Sequence, residues 1–322
     1  MARELEAYLT GPLPRSEALV EATRSLDRKR ITPQECEEVR SEDVRAAVRS
    51  QRDAGLTLLT DGQLNWQDLF RPLVESCEGL EAGTLTRWFD NNTFYRKPTV
   101  TGEISLPDGL SHDYFRTRAV EGAPWKAILP GPYTLARAAE EEAGAPAREE
   151  RIEAVADIVK RASRWCVERG AKQVQFSEPW LVYEKVSEDD LQATAKAYAT
   201  ITKGLRAETV LFTFFGNLKR VFPAVLDFPV DAIGFDLTST NIRDLKDHAF
   251  DKGAVLGAFD GRNSLVETPA EVVDLVKHAQ DELDPDWLAI GPTCELALCP
   301  RTVGDRKIQA LGAALALGRE AL

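Results

Sequence analysis

The stretch from Ala147 to Pro179 reads AREERIEAVADIVKRASRWCVERGAKQVQFSEP. As far as Gly170 its apolar residues recur at steps of three and four, which is typical of an amphipathic helix that ends at a glycine. From Lys172 a short run follows that is closed by polar residues and a proline, as many buried parallel strands are. A helix that leads directly into such a strand is one unit of an α/β fold.

The same unit recurs along nearly the whole chain. Eight short apolar runs predict strands, and they are YLTGPLP from Tyr8, LTLLTDG from Leu56, AILPGPY from Ala127, KQVQFSEP from Lys172, VLFTFFG from Val210, AIGFDL from Ala232, VLGAFDG from Val255 and WLAIGPTC from Trp287. Eight strand–helix units predict a (β/α)8 TIM barrel. A doubly wound sheet is the alternative, but it usually has fewer strands and a GxGxxG turn after the first of them, which this sequence lacks.

Between the runs, start signals predict particular helices. Thr268 and the proline after it open a helix that runs to Leu283, since proline suits the first helical turn. Asn217 can cap a helix over the sequence NLKRVFPAVL. Residues 16–54 hold two further predicted helices, where one would be enough to connect the first strand to the second.

Residues 78–124 form a long insertion after the second strand. They contain RWFDNNTFYRKP and VTGEISLPDG, which predict a β-hairpin or a lid over the barrel mouth. No linker rich in Gly, Ser or Pro interrupts the chain. We therefore predict a single barrel domain over residues 1–322, with 78–124 as an insertion within it.

The composition excludes several classes of protein. The chain has 322 residues, and its 43% hydrophobic and 29% charged residues are typical of globular proteins. Forty Lys and Arg against 52 Asp and Glu give a net charge of −12, so nothing in the balance attracts nucleic acid or anionic membranes. No apolar run approaches the roughly 20 residues of a membrane span, and MARELEAYLT lacks the apolar centre of a signal peptide. We predict a cytoplasmic protein.

The cysteines and histidines form no local metal motif. Five cysteines are an odd and scattered set, unlike a disulfide framework, and no CxxC is present. The three histidines lie far apart in sequence. A zinc site built from local His and Cys spacing is therefore excluded, and any metal would have to gather its ligands across the fold.

Polar side chains follow most of the predicted strands. They are Arg15, Asp61, Gln63, Asn65, Tyr133, Ser177, Glu178, Asp236, Asp260, Arg262, Asn263, Cys294 and Glu295. Because active sites of such barrels lie at the carboxyl ends of the strands, we expect these side chains to meet at one mouth. This set suits a polar or zwitterionic ligand better than an apolar one.

Several of these residues also have a purely structural interpretation. Asp61 and Asp260 each precede a glycine and, taken singly, are more simply turn residues. Cys294 alone is more often a small buried residue than a ligand or a nucleophile. Glu178 could simply pair with an arginine at the barrel rim. Only the shared placement of these residues at the ends of predicted strands favours a functional role for them.

Nine sequence motifs in a row resemble the cobalamin-independent methionine synthase family, whose full-length members join two related (β/α)8 barrels. The motifs are LTGPLPRS from Leu9, TDGQLNWQD from Thr60, RWFDNNTFYRKP from Arg87, LPGPYTLAR from Leu129, VQFSEPWL from Val174, LFTFFGN from Leu211, IGFDLTST from Ile233, GAFDGRNS from Gly257 and IGPTCEL from Ile290. The resemblance spans nearly the whole sequence and implies a barrel that handles methyl transfer to the thiol of homocysteine.

The resemblance also implies a zinc site that this chain lacks in part. The family's catalytic barrel takes zinc ligands as His-x-Cys after the fifth strand, Glu after the sixth and Cys after the eighth. Here positions 214–216 read Phe-Phe-Gly, the sixth-strand position is Asp236, and Cys294 is kept. Two of four ligands, one of them altered, predict zinc that is bound weakly or not at all. No other cofactor is predicted.

The departures match the zinc-less N-terminal barrel of the long enzymes, through TFFG, DGRN and WFDNN. The resemblance therefore implies a protein of methionine synthesis that acts alone or as the zinc-less partner of a zinc-bearing barrel chain, with a folate or a corrinoid protein as methyl donor. The predicted catalytic residues are Asp61, Glu178, Asp236 and Cys294. The predicted substrate-binding residues are Arg15, Gln63, Asn65, Tyr133, Ser177, Asp260, Arg262 and Asn263.

Two alternatives stay open at this point. The same barrel could carry another small-molecule chemistry, such as alkyl transfer or decarboxylation, with Asp61 and Glu178 as an acid–base pair and Arg262 holding a carboxylate. It could also be a non-catalytic subunit, although the many convergent polar groups argue mildly against this.

Overall fold

The computed structural model describes residues 3–107, 110, 114–141 and 146–322. The strands are β1 (Glu6–Ala7), β2 (Glu78–Arg87), β3 (Phe94–Ser105), β4 (Trp125–Pro130), β5 (Glu140–Glu141), β6 (Ala171–Ser177), β7 (Glu208–Thr213), β8 (Ala232–Asp236), β9 (Gly253–Phe259) and β10 (Trp287–Pro292). The helices are α1 (Glu17–Asp27), α2 (Pro33–Asp53), α3 (Arg71–Ser76), α4 (Pro132–Ala138), α5 (Arg148–Glu168), α6 (Trp180–Tyr183), α7 (Glu188–Thr202), α8 (Pro269–Leu283) and α9 (Arg301–Ala321). From β4 onward, strands and helical segments alternate.

Within the described residues, the main sheet has seven strands in the order β1-β10-β9-β8-β7-β6-β4, and all neighbours are parallel. Every residue of β4, β8 and β9 is buried, because the sheet is covered on both faces. The α/β class that the sequence predicts is confirmed, as a curled parallel sheet with helices packed against it.

The second predicted strand is not an extended strand in the structure. In this segment Leu59 forms an isolated parallel bridge with Trp125, and its N–H donates to the carbonyl of Pro124 at 3.0 Å. Two residues earlier, the N–H of Thr57 donates to the carbonyl of Ala7 at 2.9 Å. The segment therefore makes backbone contacts beside both end strands of the sheet, β4 and β1.

The helices with strong local signals lie where the sequence predicts them. The predicted helix after Thr268 is α8, and it begins with a capping box in which the side chains and backbone N–H groups of Thr268 and Glu271 satisfy each other. The helix predicted over 147–170 is α5, and residues 16–54 hold α1 and α2. Capping chemistry is local, so these elements can be predicted without the rest of the fold.

The prediction of a helix after Asn217 is wrong. Two short 3-10 turns occupy the segment instead, over Leu218–Arg220 and Ala224–Asp227. Asn217 does cap the first turn, because its side chain accepts from the N–H of Lys219. Pro223 stops the helix from continuing, since proline has no N–H to donate and its ring clashes with the preceding turn.

The insertion contains a β-hairpin, as the sequence predicts, in which β2 pairs antiparallel with β3. At its turn, Trp88 and Phe89 pack on Trp180 of α6, with ring centroids 5.7 and 4.3 Å apart. Phe70 packs against Trp88 from a third side at 5.7 Å. These buried aromatic contacts fix the end of the hairpin against α6. Positions 108, 109 and 111–113 of the insertion lie outside the described residues.

In the part of the chain that the structure describes, no helix combines the length and the apolar character needed to cross a membrane.

Candidate functional site

A cavity of about 1490 Å³ opens at the carboxyl ends of the parallel strands. Thr10 after β1, Ser177 at the end of β6, Phe214 after β7 and Glu295 after β10 contribute to its wall. The hairpin turn adds residues from the insertion to the same wall. This is the mouth at which the sequence places the functional side chains, and its volume is ample for a small-molecule ligand.

The cavity brings together some of the predicted site residues. Arg15, Gln63 and Ser177 belong to its lining. The other predicted residues, all within the described part of the chain, lie outside the lining, namely Asp61, Asn65, Tyr133, Glu178, Asp236, Asp260, Arg262, Asn263 and Cys294. Their catalytic or binding roles stay predictions.

Gln63 presents a hydrogen-bond acceptor at the cavity wall. Its Nε2 donates to the carbonyl of Ile128 at 3.2 Å, which sets the orientation of the amide. Its Oε1 is then buried without a hydrogen-bond partner among the described residues. A buried acceptor without a donor is costly, so a ligand N–H or O–H placed there would be bound favourably.

Ser177 also belongs to the lining, and Gln175 of the same strand orients its side chain. Its Oγ accepts from Nε2 of Gln175 at 3.2 Å, and the same amide nitrogen donates to the carbonyl of Thr10 at 2.7 Å. Because Oγ acts as the acceptor in this bond, the hydroxyl proton of Ser177 remains to be donated to a ligand.

Arg15 supplies positive charge to the wall. Its Nη2 donates to the carbonyl of Trp66 at 2.7 Å. Burial lowers the pKa of this guanidinium, and the like charge of Arg40 lowers it further, while Asp43 acts in the opposite direction. A guanidinium remains charged despite such a shift, so Arg15 is suited to bind a ligand carboxylate.

Glu295 and Trp88 join the last strand to the hairpin across the cavity wall. The indole Nε1 of Trp88 donates to Oε1 of Glu295 at 2.6 Å. Burial raises the pKa of this carboxyl to about 7. In the sequence, Glu295 follows the last predicted strand without a predicted role, and Trp88 belongs to the RWFDNNTFYRKP motif, in which no site residue is predicted.

Glu178 is fully occupied by contacts inside the protein. Its Oε1 accepts from the N–H of Tyr133 at 3.1 Å and from the hydroxyl of Tyr198 at 3.2 Å. Its Oε2 accepts from the N–H of Thr134 at 2.7 Å. The side chain thereby satisfies the first turn of α4, where helix N–H groups have no partner within the helix. This geometry accounts for the residue without a substrate.

The two aspartates of the Asp-Gly pairs, Asp61 and Asp260, also accept hydrogen bonds from backbone N–H groups. Oδ1 of Asp61 accepts from the N–H of Gln63 at 3.0 Å, and Oδ2 accepts from the N–H of Arg116 at 2.8 Å. Oδ1 of Asp260 accepts from the N–H of Arg262 at 2.9 Å. Both contacts across two residues are those of a turn-forming aspartate. Burial raises the pKa of Asp61.

Asp236 already has several hydrogen-bond donors. Its Oδ1 accepts from the N–H and the hydroxyl of Thr238, at 2.8 and 2.6 Å, and its Oδ2 accepts from Ser239 at 3.0 Å. Arg262 approaches the same carboxylate at 4.0 Å. A zinc ligand in this position would have to give up some of these bonds.

The residues present do not fit a zinc ion. The Cys294 thiol is fully buried, and burial raises its pKa well above the ordinary value. Phe214 and Gly216 supply no side-chain donor atoms at the two positions where the resemblance places His and Cys. Among the residues that the structure describes, no group of three or more His, Cys, Asp or Glu side chains could hold a metal ion.

Two methionine synthases are similar in sequence to this chain over nearly its full length. The methionine synthase of Saccharolobus solfataricus is 26% identical and aligns over 99% of this chain and 96% of its own length. The methionine synthase of Sulfurisphaera tokodaii is 25% identical, over 94% and 89%.

Two solved structures share the fold. A B12-independent methionine synthase from Shewanella sp. W3-18-1, in complex with selenomethionine, superposes with a TM-score of 0.79 at 19% identity and covers 98% of both chains. A putative vitamin-B12 independent methionine synthase from Listeria monocytogenes superposes with a TM-score of 0.74 at 14% identity, over 99% of both chains.

A family profile supplies the assignment. The profile described as "Cobalamin-independent synthase, N-terminal domain" matches residues 68–284, which is more than half of the chain. The matched region runs from the segment before the hairpin to the end of α8 and includes β6 and β7, at whose carboxyl ends Ser177 and Phe214 contribute to the cavity wall. The chain therefore belongs to the cobalamin-independent synthase family, through the N-terminal domain of that family.

Proposed function

We propose that this chain acts in methionine synthesis, in methyl transfer to the thiol of homocysteine, as the zinc-less partner of a second, zinc-bearing barrel chain. One observation carries the proposal: the strand-end cavity has polar groups for an amino acid, whereas Phe214 and Gly216 stand at the two positions where the resemblance places His and Cys as metal ligands. The relatives named methionine synthase and the neighbour that holds selenomethionine support it.

Within this proposal, the chain's own residues bind and orient. Arg15 pairs with a carboxylate, and Gln63 and Ser177 offer an acceptor and a donor in the same wall. A zinc ion held by the partner would lower the pKa of the thiol. The Cys294 thiol and the occupied Asp236 carboxylate leave that task to the partner.

We also propose that residues 1–322 form one closed (β/α)8 barrel, with 78–124 as an insertion over its mouth. The segment around Leu59 would be the eighth strand, and its hydrogen bonds beside β4 and β1 support this closure. The packing of Trp88 and Phe89 supports an insertion that forms a fixed wall of the cavity.

Exposed apolar side chains on the mouth side are the proposed contact with the partner. On the hairpin, Leu85 is 63% exposed and Phe94, which also lines the cavity, is 51% exposed. Leu265, in the loop after β9, is 74% exposed. Large apolar side chains around a functional mouth are favourable places for another protein surface to bind.

The decisive experiment is a thiol-methylation assay with homocysteine. It compares this chain, its zinc-bearing homologue from the same genome, and the two together, with a methylated folate and a methylated corrinoid protein as separate donors. We expect the mixture to exceed the sum of the single chains by at least about tenfold, equivalent to about 1.4 kcal/mol. If this chain alone turned over homocysteine as fast as the mixture, the result would contradict the proposal. A complex of the two chains without enhanced turnover would indicate a non-catalytic subunit.

A charge on the hairpin should abolish the enhancement. Phe94→Asp buries a carboxylate in the proposed contact, which is costly without a partner, so we expect the mixture to lose most of its gain. Leu317→Asp is the matched control, since Leu317 is a 39% exposed apolar residue of α9, far from the cavity lining. Equal effects of both variants in the assay would show that Phe94 has no special role.

Purified protein should contain far less than one zinc per chain by elemental analysis, because the donor set is incomplete. Cys294→Ala should leave this content unchanged. Stoichiometric zinc that is lost in Cys294→Ala would show instead that this chain activates the thiol itself.

A further inference from the structure

The amino-terminal ends of the strands, opposite the cavity, enclose a second set of polar side chains. This floor cluster consists of Glu6 and Tyr8 near β1, Lys126 of β4, Gln173 of β6 and Glu208 of β7. Lys126 is only 2% exposed, and its Nζ lies 3.8 Å from the ring centroid of Tyr8. Nε2 of Gln173 donates to the Tyr8 hydroxyl at 3.3 Å and to Oε1 of Glu208 at 2.6 Å. Nothing in the proposed methyl transfer uses these residues.

Three polar atoms of the floor cluster are buried without a hydrogen-bond partner in the described part of the chain. They are Nζ of Lys126, Oε1 of Gln173 and Oε2 of Glu6. Lys126 and Gln173 are register partners on neighbouring strands, and both reach Tyr8, so their unpartnered atoms lie in the same small region. One unpaired buried atom is already costly, and three together call for a ligand that satisfies them.

The charged neighbours explain why Lys126 has no ion-pair partner. Arg3 occupies both carboxylates, since it donates to Oε1 of Glu6 at 2.9 Å and to Oε1 of Glu208 at 3.1 Å. The Arg3 guanidinium also lies 3.8 Å above the ring of Trp287, at the end of the barrel. Burial lowers the pKa of Lys126 well below its ordinary value, and the charges of Glu208 and Glu6 counter this only in part.

These surroundings select the kind of ligand. A cation would be repelled by Arg3 and gain nothing from an amine, and an anion would face Glu6 and Glu208. A neutral molecule that both donates and accepts fits all three atoms. Buried water in proteins makes about three hydrogen bonds to otherwise unsatisfied groups. We propose that the floor cluster is a binding site for ordered water that bridges Nζ of Lys126 to Oε1 of Gln173 and Oε2 of Glu6.

A pair of buried lysines provides the test. Lys307 is equally buried, at 1% exposure, but its Nζ pairs directly with Oε2 of Glu267 at 2.7 Å and with the carbonyl of Leu265. Lys307→Met removes direct bonds and should lower the melting temperature by about 3 °C or more. Lys126→Met should not lower it by more than about 1 °C, because water would remain bonded to Gln173 and Glu6 and the cost of the buried amine would be removed. A loss as large as that of Lys307→Met would overturn the proposal.

A crystal structure of the unaltered chain decides the matter even if a variant fails to fold. We expect a water peak within about 3.2 Å of Nζ and of Oε1 of Gln173. A direct bond between Lys126 and Glu6, or a dry floor, would overturn the proposal.

The pH dependence gives a third measurement. Since the pKa of Lys126 is lowered in the folded chain, the unfolded chain binds the extra proton, and stability should rise with pH until the ordinary value of 10.5 is reached. Lys126→Met should lack this rise. A wild-type chain with the same pH profile as the variant would mean a charged, ion-paired lysine and would also overturn the proposal.

Discussion

Replacement of Glu178 by alanine is expected to lower the free energy of unfolding by about 3–5 kcal/mol at pH 5.5, because three buried donors lose their acceptor at once. These donors are the N–H groups of Tyr133 and Thr134 and the hydroxyl of Tyr198, at 2.7–3.2 Å from the carboxyl oxygens. Urea unfolding measures the effect. A change below about 1 kcal/mol would show that the first turn of α4 does not depend on this side chain.

The pH dependence of the same variant tests the cause. Burial raises the pKa of Glu178 to about 7 from an ordinary 4.5, and the hydrogen bonds from Thr134, Tyr133 and Tyr198 oppose the shift. Because the folded chain retains the Glu178 proton more strongly than the unfolded chain does, the proton contributes to the free energy of unfolding. This contribution is fully present below pH 4.5 and is lost as the pH rises through about 7. A shift of this size is worth at most about 3 kcal/mol. The difference between wild type and Glu178→Ala should therefore shrink between pH 5.5 and pH 8.

The activity of the Glu178 variants separates a structural role from a catalytic one. Glu178→Gln keeps the size of the side chain but places an amide NH2 against the donors of α4, so it too should lose stability. If the role is structural, the fraction that remains folded should methylate the thiol normally in the mixed-chain assay. A stable Glu178→Gln protein without activity would instead support the catalytic role that the sequence suggested.

Gly131→Ala is expected to be about as damaging as the loss of Glu178 itself, at about 3–5 kcal/mol. A Cβ atom at position 131 would lie 2.1 Å from Cδ and 2.3 Å from Cγ of Glu178. The carboxyl group is fully buried and held by three donors, so it cannot move away without breaking those bonds. Thermal and urea unfolding of the variant provide the measurement.

Two comparisons make the Gly131 prediction specific. Gly102→Ala is the control, because a Cβ there meets no heavy atom within 4 Å, and it should change stability by less than about 0.5 kcal/mol. In Gly131→Ala combined with Glu178→Ala, the clash disappears, so the double variant should be no less stable than Glu178→Ala alone. Additive losses would mean that Gly131 matters for a reason other than its contact with Glu178.

Features with local causes could be predicted from the sequence. The start of α8 depends on Thr268 and Glu271, three residues apart, and buried parallel runs are visible as apolar segments. The second predicted strand differs from the structure, where it is only an isolated bridge, for the opposite reason. Its residues contact Ala7 and Pro124, which lie about 50 and 65 residues away in sequence, so the length of its pairing depends on distant strands.

The same distinction applies to the candidate site. The position of the cavity at the strand ends was predictable, and three of the residues predicted there, Arg15, Gln63 and Ser177, belong to its lining, while their binding roles stay predictions. The internal role of Glu178 was not, because its donors lie 44 and 45 residues earlier in the chain and 20 residues later. Asp-Gly pairs and Glu-Pro are ambiguous in sequence, since turn formation and catalysis use the same residue types.

The bond between Trp88 and Glu295 has a consequence for synthesis of the chain. It joins residues 207 positions apart, and β1 likewise pairs with β10, near the other end of the chain. The amino-terminal strand and the hairpin must therefore wait at the ribosome until residues 287–295 have emerged, with apolar surface such as Trp88 and Tyr8 not yet covered by its final neighbours. The cavity wall is thus among the last parts of the fold to form.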